Sequence, residues 1–203
     1  MLRLIRPSPS SMPEMVLRGA QVYLRPPQDR DWSAWADVRR ASRAFLEPWE
    51  PTWPSDALTR DYYRRRVRQQ AQDWRDDAGY SFFIFRAADD ALVGGINMTN
   101  VRRGVAQMAS LGYWVGEAYA RQGNMSAGIA CVAHFAFDRL GLHRLEAACL
   151  PANDASAGVL RKAGFTEEGY ARRYLRINGK WEDHLLFALL DDDKRPEGVV
   201  VLE

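Results

Sequence analysis

The apolar and polar pattern of Val16–Leu24 (VLRGAQVYL), rich in branched and aromatic residues, predicts a strand. Pro26-Pro27 ends it, and Asp29 or Asp31 is placed to cap a helix running to Ala44. Phe45–Pro51 (FLEPWEP) predicts a rigid apolar loop with one free carboxylate at Glu50. A helix follows over Ala57–Trp74; its Arg64, Arg65, Arg66 and Arg68 cover several faces and read as a solvated surface. Tyr80–Arg86 and Ala91–Asn100 read as strands joined by an Ala88-Asp89-Asp90 turn, and Gln107–Gly116 as the next strand. From Gln122 to Leu140, residues Met125, Ile129, Val132, Ala133, Ala136 and Leu140 recur at helical spacing. His143–Leu150 predicts a strand. Asn153 or Asp154 caps a short helix through Lys162, with Gly164 as its C-terminal glycine. Phe165–Ile177 and Trp181–Leu190 are strands joined by Asn178-Gly179, a strong hairpin signal. Helices interleaved among strands in this order predict one α/β (α+β) domain on a mixed, mostly antiparallel sheet flanked by helices. Its expected limits are 16–192, with a flexible extension at 1–15 and a tail at 193–203.

Composition narrows the class. An apolar fraction of 47% over 203 residues supports a real core in a single domain. Net charge is +2, too small for a general nucleic-acid or membrane binder, so neither partner is expected. No long uncharged apolar run predicts a membrane span, and the N-terminus has no apolar core of a secretory signal. Cys131 and Cys149, both in apolar contexts, read as reduced and buried, which points to a cytoplasmic protein. His134, His143 and His184 are scattered without ligand spacing, so no metal site is expected.

The chemistry concentrates in Leu111–Leu140. A strand ending in Tyr113-Trp114-Val115 meets a polar turn, and Gly123 then opens a helix of small residues. The free N–H groups of a first helical turn, aided by the helix dipole, favour an anion there. Gly123 has no Cβ, so a diphosphate can approach the backbone. No Lys-Ser or Lys-Thr follows the glycine and no GxGxxG follows a strand, which sets aside the P-loop and the Rossmann fingerprint.

Four elements, in order, make the chain resemble the GNAT N-acetyltransferases, and within them the RimJ/RimL-like branch that acetylates N-terminal amines of ribosomal proteins. They are Phe45–Pro51; the LGYWV strand with Gly123-Asn124-Met125; LGLHRLEA at Leu140–Ala147 with Asn153–Ser156 and Ala163-Gly164-Phe165; and Glu168-Gly169-Tyr170 with Asn178–His184. The resemblance spans Val16–Leu190. It implies a splayed central strand pair that admits acetyl-CoA. The family's pyrophosphate loop, Gln/Arg-x-x-Gly-x-Gly/Ala, falls on Ala120–Met125. Gly123 matches; Ala120 replaces the Gln or Arg, and Arg121 or Gln122 is available to supply that polar contact.

The resemblance further implies direct acetyl transfer from acetyl-CoA to an amine. The cofactor would be held by Tyr113, Trp114 and Val115 of the strand, by Arg121 to Ser126 of the loop and helix start (with Gln122, Asn124 and Met125), and by Asn153. Ser156 is the candidate acid for the leaving thiolate. Relatives in the RimL branch carry a Glu just before the LGYW segment; here that residue is Ser110, so the base passes to Glu50, with Glu117 and Glu146 behind it. The acceptor implied is a protein N-terminus beginning with Ala or Ser, ribosomal proteins among the candidates, and the enzyme a monomer or homodimer. Two other readings stay open: a small-amine or antibiotic acetyltransferase on the same scaffold, and a non-catalytic acyl-CoA-binding module.

Overall fold

The computed structural model describes residues 14–196 and the strand 200–202. The expected extension at 1–15 lies almost entirely outside the described residues. Val16–Leu24 is two strands rather than one: β1 (Val16–Arg18) and β2 (Val22–Arg25) pair antiparallel, with Leu17 opposite Leu24. The buried positions shift phase between Leu17 and Val22, and a phase slip of this kind marks a turn. Then come α1 (Trp32–Ala41), a break at Ser42, the single turn α2 (Arg43–Leu46) and a 3-10 turn over Glu47–Trp49. The expected extended loop at Phe45–Pro51 is therefore partly helical. Asp31 does not cap α1 through its side chain; its carboxylate grips Arg25 at 2.7 and 2.6 Å.

Helix α3 (Arg60–Arg75) begins later than expected because Thr59 caps it, its hydroxyl accepting the Tyr62 N–H. Strands β3 (Tyr80–Arg86), β4 (Leu92–Arg102) and β5 (Met108–Val115) form a meander. Helix α4 (Asn124–His134) continues as one π-helical stretch, Phe135–Arg139. Strand β6 (Arg144–Cys149), helix α5 (Asp154–Lys162, capped by Asn153) and the hairpin β7 (Thr166–Ile177) and β8 (Lys180–Leu190) follow. Asn178 and Gly179 both have positive φ, as a primed turn requires. Val200–Leu202, in the segment expected as a tail, is a strand β9 paired with β1.

The sheet runs β7-β8-β6-β5-β4-β3-β2-β1-β9. Every neighbouring pair is antiparallel except β5–β6. One face packs Phe82, Ile84, Ile96 and Met98 against Ile129 and Phe135 of the α4 segment; the other packs Phe83, Phe85 and Trp114 against Trp35 of α1 and Tyr63 of α3. Both cysteines are buried and free, and burial pushes the Cys131 thiol up to about 12.

The parallel pair is where the sheet opens. β5 and β6 pair from Met108–Arg144 to Leu111–Ala147, whereas β5 and β4 stay paired to Val115–Gly94. Beyond Leu111 the two central strands diverge, and the last residues of β5 have an unpaired edge.

Candidate active site

One cavity of about 760 Å³ opens where the strands part. Its walls are the end of β5, the turn and first residues of α4, the start of α5, and the Phe45–Glu50 segment. Of the expected cofactor-binding residues only Gln122 is absent from the lining: its side-chain amide turns back to donate to the Ala118 carbonyl.

The free edge of β5 can be read by alternation. Gly116 donates its N–H to Val93 on β4, so Trp114 also faces β4, and the main-chain groups of Tyr113 and Val115 face the gap. Side chains alternate as well. Tyr113 points to the α5 side, where its hydroxyl lies 2.7 Å from Ser156 Oγ. Trp114 points to the opposite face and is buried there. Its place depends on Gly95, where a Cβ would stand 2.8 Å from the indole nitrogen.

The turn before α4 is built by backbone geometry. Arg121 and Gly123 both have positive φ, and Gly123 sits in the left-handed region as the N-cap with no side chain capping the helix. The first helical bond is donated by Ala127 to Gly123, which leaves the N–H groups of Asn124, Met125 and Ser126 without intrahelical partners. The Asn124 and Met125 side chains are buried, so these residues offer the cavity main chain only. Asn124 instead locks the turn: its Nδ2 donates to Tyr119 O, and Gln21 donates to its Oδ1 and to Gln122 O. Arg121 and Lys162, both lining the cavity, have no carboxylate partner among the described residues. Free amides, a helix N-terminus and two unpaired cations form a site for a polyanion.

Asn153 accepts the Ser156 N–H through Oδ1 at 3.0 Å, which fixes Ser156 in the first turn of α5. Burial pushes the Tyr113 phenol well above its usual range, so it holds its proton at any physiological pH. Burial likewise raises the nearby Cys149 thiol.

The other wall is Phe45, Leu46, Trp49 and Glu50, with an ionic cluster behind Glu50. Glu50 is not the free carboxylate the sequence suggested. Arg39 donates to both its oxygens at 3.1 and 2.5 Å, and the Trp53 indole donates at 2.7 Å. Arg39 itself lies over Trp53 and Trp114, 4.4 and 5.0 Å from the ring centres. The Glu50 carbonyl accepts the Asn178 N–H from the β7–β8 turn, which pins the hairpin tip beside the cavity. Glu117 begins a 3-10 turn and its N–H is held by Ser42 Oγ; Glu146 is paired with Arg144. Neither lines the cavity. Sequence reasoning missed Arg39, the partner that decides the state of Glu50. Among the described residues, no group of three or more His, Cys, Asp or Glu side chains is placed to hold a metal ion.

The acetyltransferase (GNAT) domain profile matches residues 21–166, and the chain belongs to this family of acyltransferases. Within it the relatives are of the RimJ/RimL type. The chain is 36% identical over 178 residues to a probable N-acetyltransferase, YjcK, of Bacillus subtilis, covering 88% of this chain and 98% of that protein. It is 30% identical over 187 residues to the [ribosomal protein uS5]-alanine N-acetyltransferase of Escherichia coli, covering 92% and 96%. Mycobacterium smegmatis RimJ, solved in complex with CoA-disulfide, superposes with a TM-score of 0.81 at 34% identity over 88% of each chain.

Proposed function

We propose that this acetyltransferase moves acetyl from acetyl-CoA directly to the N-terminal α-amine of a protein, of the Ala or Ser type, with a ribosomal protein as acceptor. The observation that carries the reading is the unpaired β5 edge standing beside the uncapped start of α4 in one cavity. The relative named for acetylating uS5 alanine supports the acceptor class.

The residues divide the work. The amides of Asn124, Met125 and Ser126, with Arg121 and Lys162 nearby, hold the coenzyme diphosphate. The Tyr113 and Val115 main chain pairs with the amide-bearing arm by strand addition, and an N–H of this edge faces the thioester oxygen as it gains charge. Ser156 donates a proton to the departing thiolate and regains one from solvent, which has taken the proton of the amine; Tyr113, 2.7 Å away, orients the Ser156 hydroxyl. Asn153 holds Ser156 in place. Glu50 has about four lone-pair sites and gives three of them to Arg39 and Trp53. It therefore orients the arriving amine through its remaining site, and solvent takes the proton. An α-amine titrates near 8 and a lysine near 10.4, a gap of about 2.5 units or about 3.4 kcal/mol. A site without a dedicated base thus favours an α-amine.

A thiol-release assay with acetyl-CoA tests this, using a peptide beginning Ala-Arg beside spermidine and an aminoglycoside. Turnover of the peptide is expected. Turnover of the polyamine or aminoglycoside alone would end the N-terminal reading. Thermal stabilisation by acetyl-CoA without turnover of any amine would leave only an acyl-CoA-binding module.

A further inference from the structure

The far half of the β7–β8 hairpin does not belong to the packed sheet. β6 reaches only Cys149, opposite Leu185, so residues 180–184 of β8 pair with β7 alone. A two-stranded ribbon therefore projects past the sheet, its tip tied to Glu50. It carries Tyr174, Leu175 and Trp181, with Tyr170 at its root opposite Leu185; these are four of the five large apolar side chains exposed among the described residues. Trp181 is 63% and Tyr170 55% exposed. Interleaved with them are Arg172, Arg173, Arg176 and Lys180, against Glu182 and Asp183.

The ribbon is also bulged. Ala171 pairs with His184 and Leu175 with Glu182, so Arg172, Arg173 and Tyr174 stand opposite Asp183 alone. Arg173 takes a positive φ of 47°, held by its N–H donating to Asp183 at 2.7 Å. Asp183 also accepts the Tyr170 hydroxyl, so its oxygens are used inside the ribbon. Arg172, Arg173 and Lys180 make no close ion pair among the described residues, although, after the Tyr170 hydrogen bond, the charges of Arg172 and Arg173 help to hold the Asp183 carboxyl below its usual range. Three arginines of α3 behave differently: Arg60 and Arg64 pair with Asp29, and Arg65 with Asp56. Arg66, expected on a solvated surface, is instead half-buried, its Nε enclosed and unbonded among the described residues. The chain-wide charge of +2 conceals this contrast.

We propose that the β7–β8 ribbon binds single-stranded nucleic acid, its unpaired cations on the phosphates and its exposed rings stacked on bases. Tyr170 and Trp181 share one face of the ribbon, four residues apart in register, or about 13 Å along it. Spaced rings on a ribbon that also carries exposed cations suit an unstacked strand and do not suit a duplex, whose bases are covered. A second copy of this chain is disfavoured as the occupant, because a two-fold contact would set the same positive patch against itself. The proposal is independent of the acceptor assigned to the active site.

Fluorescence anisotropy with labelled oligouridine, oligothymidine and duplex DNA of about twelve residues tests it. Both single strands are expected to bind and the duplex to bind at least about tenfold more weakly. A clear preference between the uridine and thymidine strands assigns RNA or DNA as the natural ligand. Arg172→Glu with Arg173→Glu should weaken the single strands at least about tenfold and lower the salt slope by about 1.4 between about 50 and 200 mM salt. Tyr174→Ala with Trp181→Ala should weaken them by about tenfold or more. Arg64→Ala with Arg65→Ala should change nothing. An unaltered melting temperature and unaltered acetyl-CoA heat qualify each variant as folded; Lys180→Ala and Arg172→Ala, singly, replace any that fail. Absence of single-strand binding, or equal binding by the charge-reversed variant, overturns the proposal. So does a raised peptide KM in the variants with no affinity for either strand, which would give the ribbon to the acceptor. A dimer in light scattering that Trp181→Ala dissociates would give it to a second copy.

Discussion

The two walls of the cavity are made in different ways. The wall toward α4 and α5 is main chain: an uncapped helix start, a left-handed glycine, and a strand edge that its neighbour has left. The wall toward α1 and α2 is side chain: Phe45, Leu46, Trp49 and Glu50, the glutamate clamped from behind by an arginine stacked on two tryptophans. Main-chain donors tolerate changes of side chain, so Ala120 in place of the family's Gln or Arg leaves the free amides of the α4 start in place. A wall of interlocked side chains is easily altered, and it is the one that would meet the acceptor.

That difference can be broken on purpose, and the largest effect is expected at Gly123. Gly123→Glu places a carboxylate where the diphosphate belongs and forces a Cβ into φ of 80°. Acetyl-CoA affinity should fall at least about a hundredfold by calorimetry, near 3 kcal/mol; binding within tenfold of the parent would mean the phosphates lie elsewhere. Gly123→Ala should cost about 1–2 kcal/mol of stability through the backbone alone.

Next comes the ionic cluster behind Glu50. Arg39→Met leaves a half-buried Glu50 without its partner and removes the cation from Trp53 and Trp114. Denaturant titration should show a loss of about 2 kcal/mol, the full cost of a buried pair being larger and this one partly solvated. The peptide KM should rise while acetyl-CoA affinity stays; a change in acetyl-CoA affinity instead would show that the two walls are coupled.

Ser156→Ala and Tyr113→Phe should each slow turnover by about tenfold and leave acetyl-CoA affinity intact. An undiminished rate in Ser156→Ala would remove that hydroxyl from the proton path.

The smallest effect is in the pH dependence of stability. Burial, then the hydrogen bond to Asp77, raises the Tyr80 phenol from 10.0 to about 12. The folded state keeps a proton that the unfolded chain releases, so this contribution is complete below pH 10.0 and is lost as pH rises to about 12. Tyr80→Phe should flatten the alkaline fall of the unfolding free energy against pH, measured by denaturant titration, by about 1.4 kcal/mol per unit at most. An equally steep fall in the variant would contradict the assignment.

The same contrast explains what could be read from the sequence. The Gly123 turn, the Asn153 cap with Ser156 and the Asn178-Gly179 hairpin each depend on residues adjacent in the chain, and each is placed near its expected position. Glu50 was visible as a carboxylate, but its state is set by Arg39, eleven positions back and brought close by packing of α1. The hairpin hidden in Val16–Leu24 needed the phase slip to be noticed, and Gly19 alone did not announce it. Trp114 could be placed on a strand, yet its burial over Gly95 follows from the β4–β5 register, which no local pattern encodes.

The proposed seat of the coenzyme diphosphate on the amides at the start of α4 is the point on which the proposed roles of both walls depend. Calorimetry comparing acetyl-CoA with acetyl-pantetheine, which lacks the diphosphate, tests it most directly. The coenzyme should bind at least about a hundredfold more tightly than the fragment. Equal affinities, or no heat with the coenzyme, would contradict it.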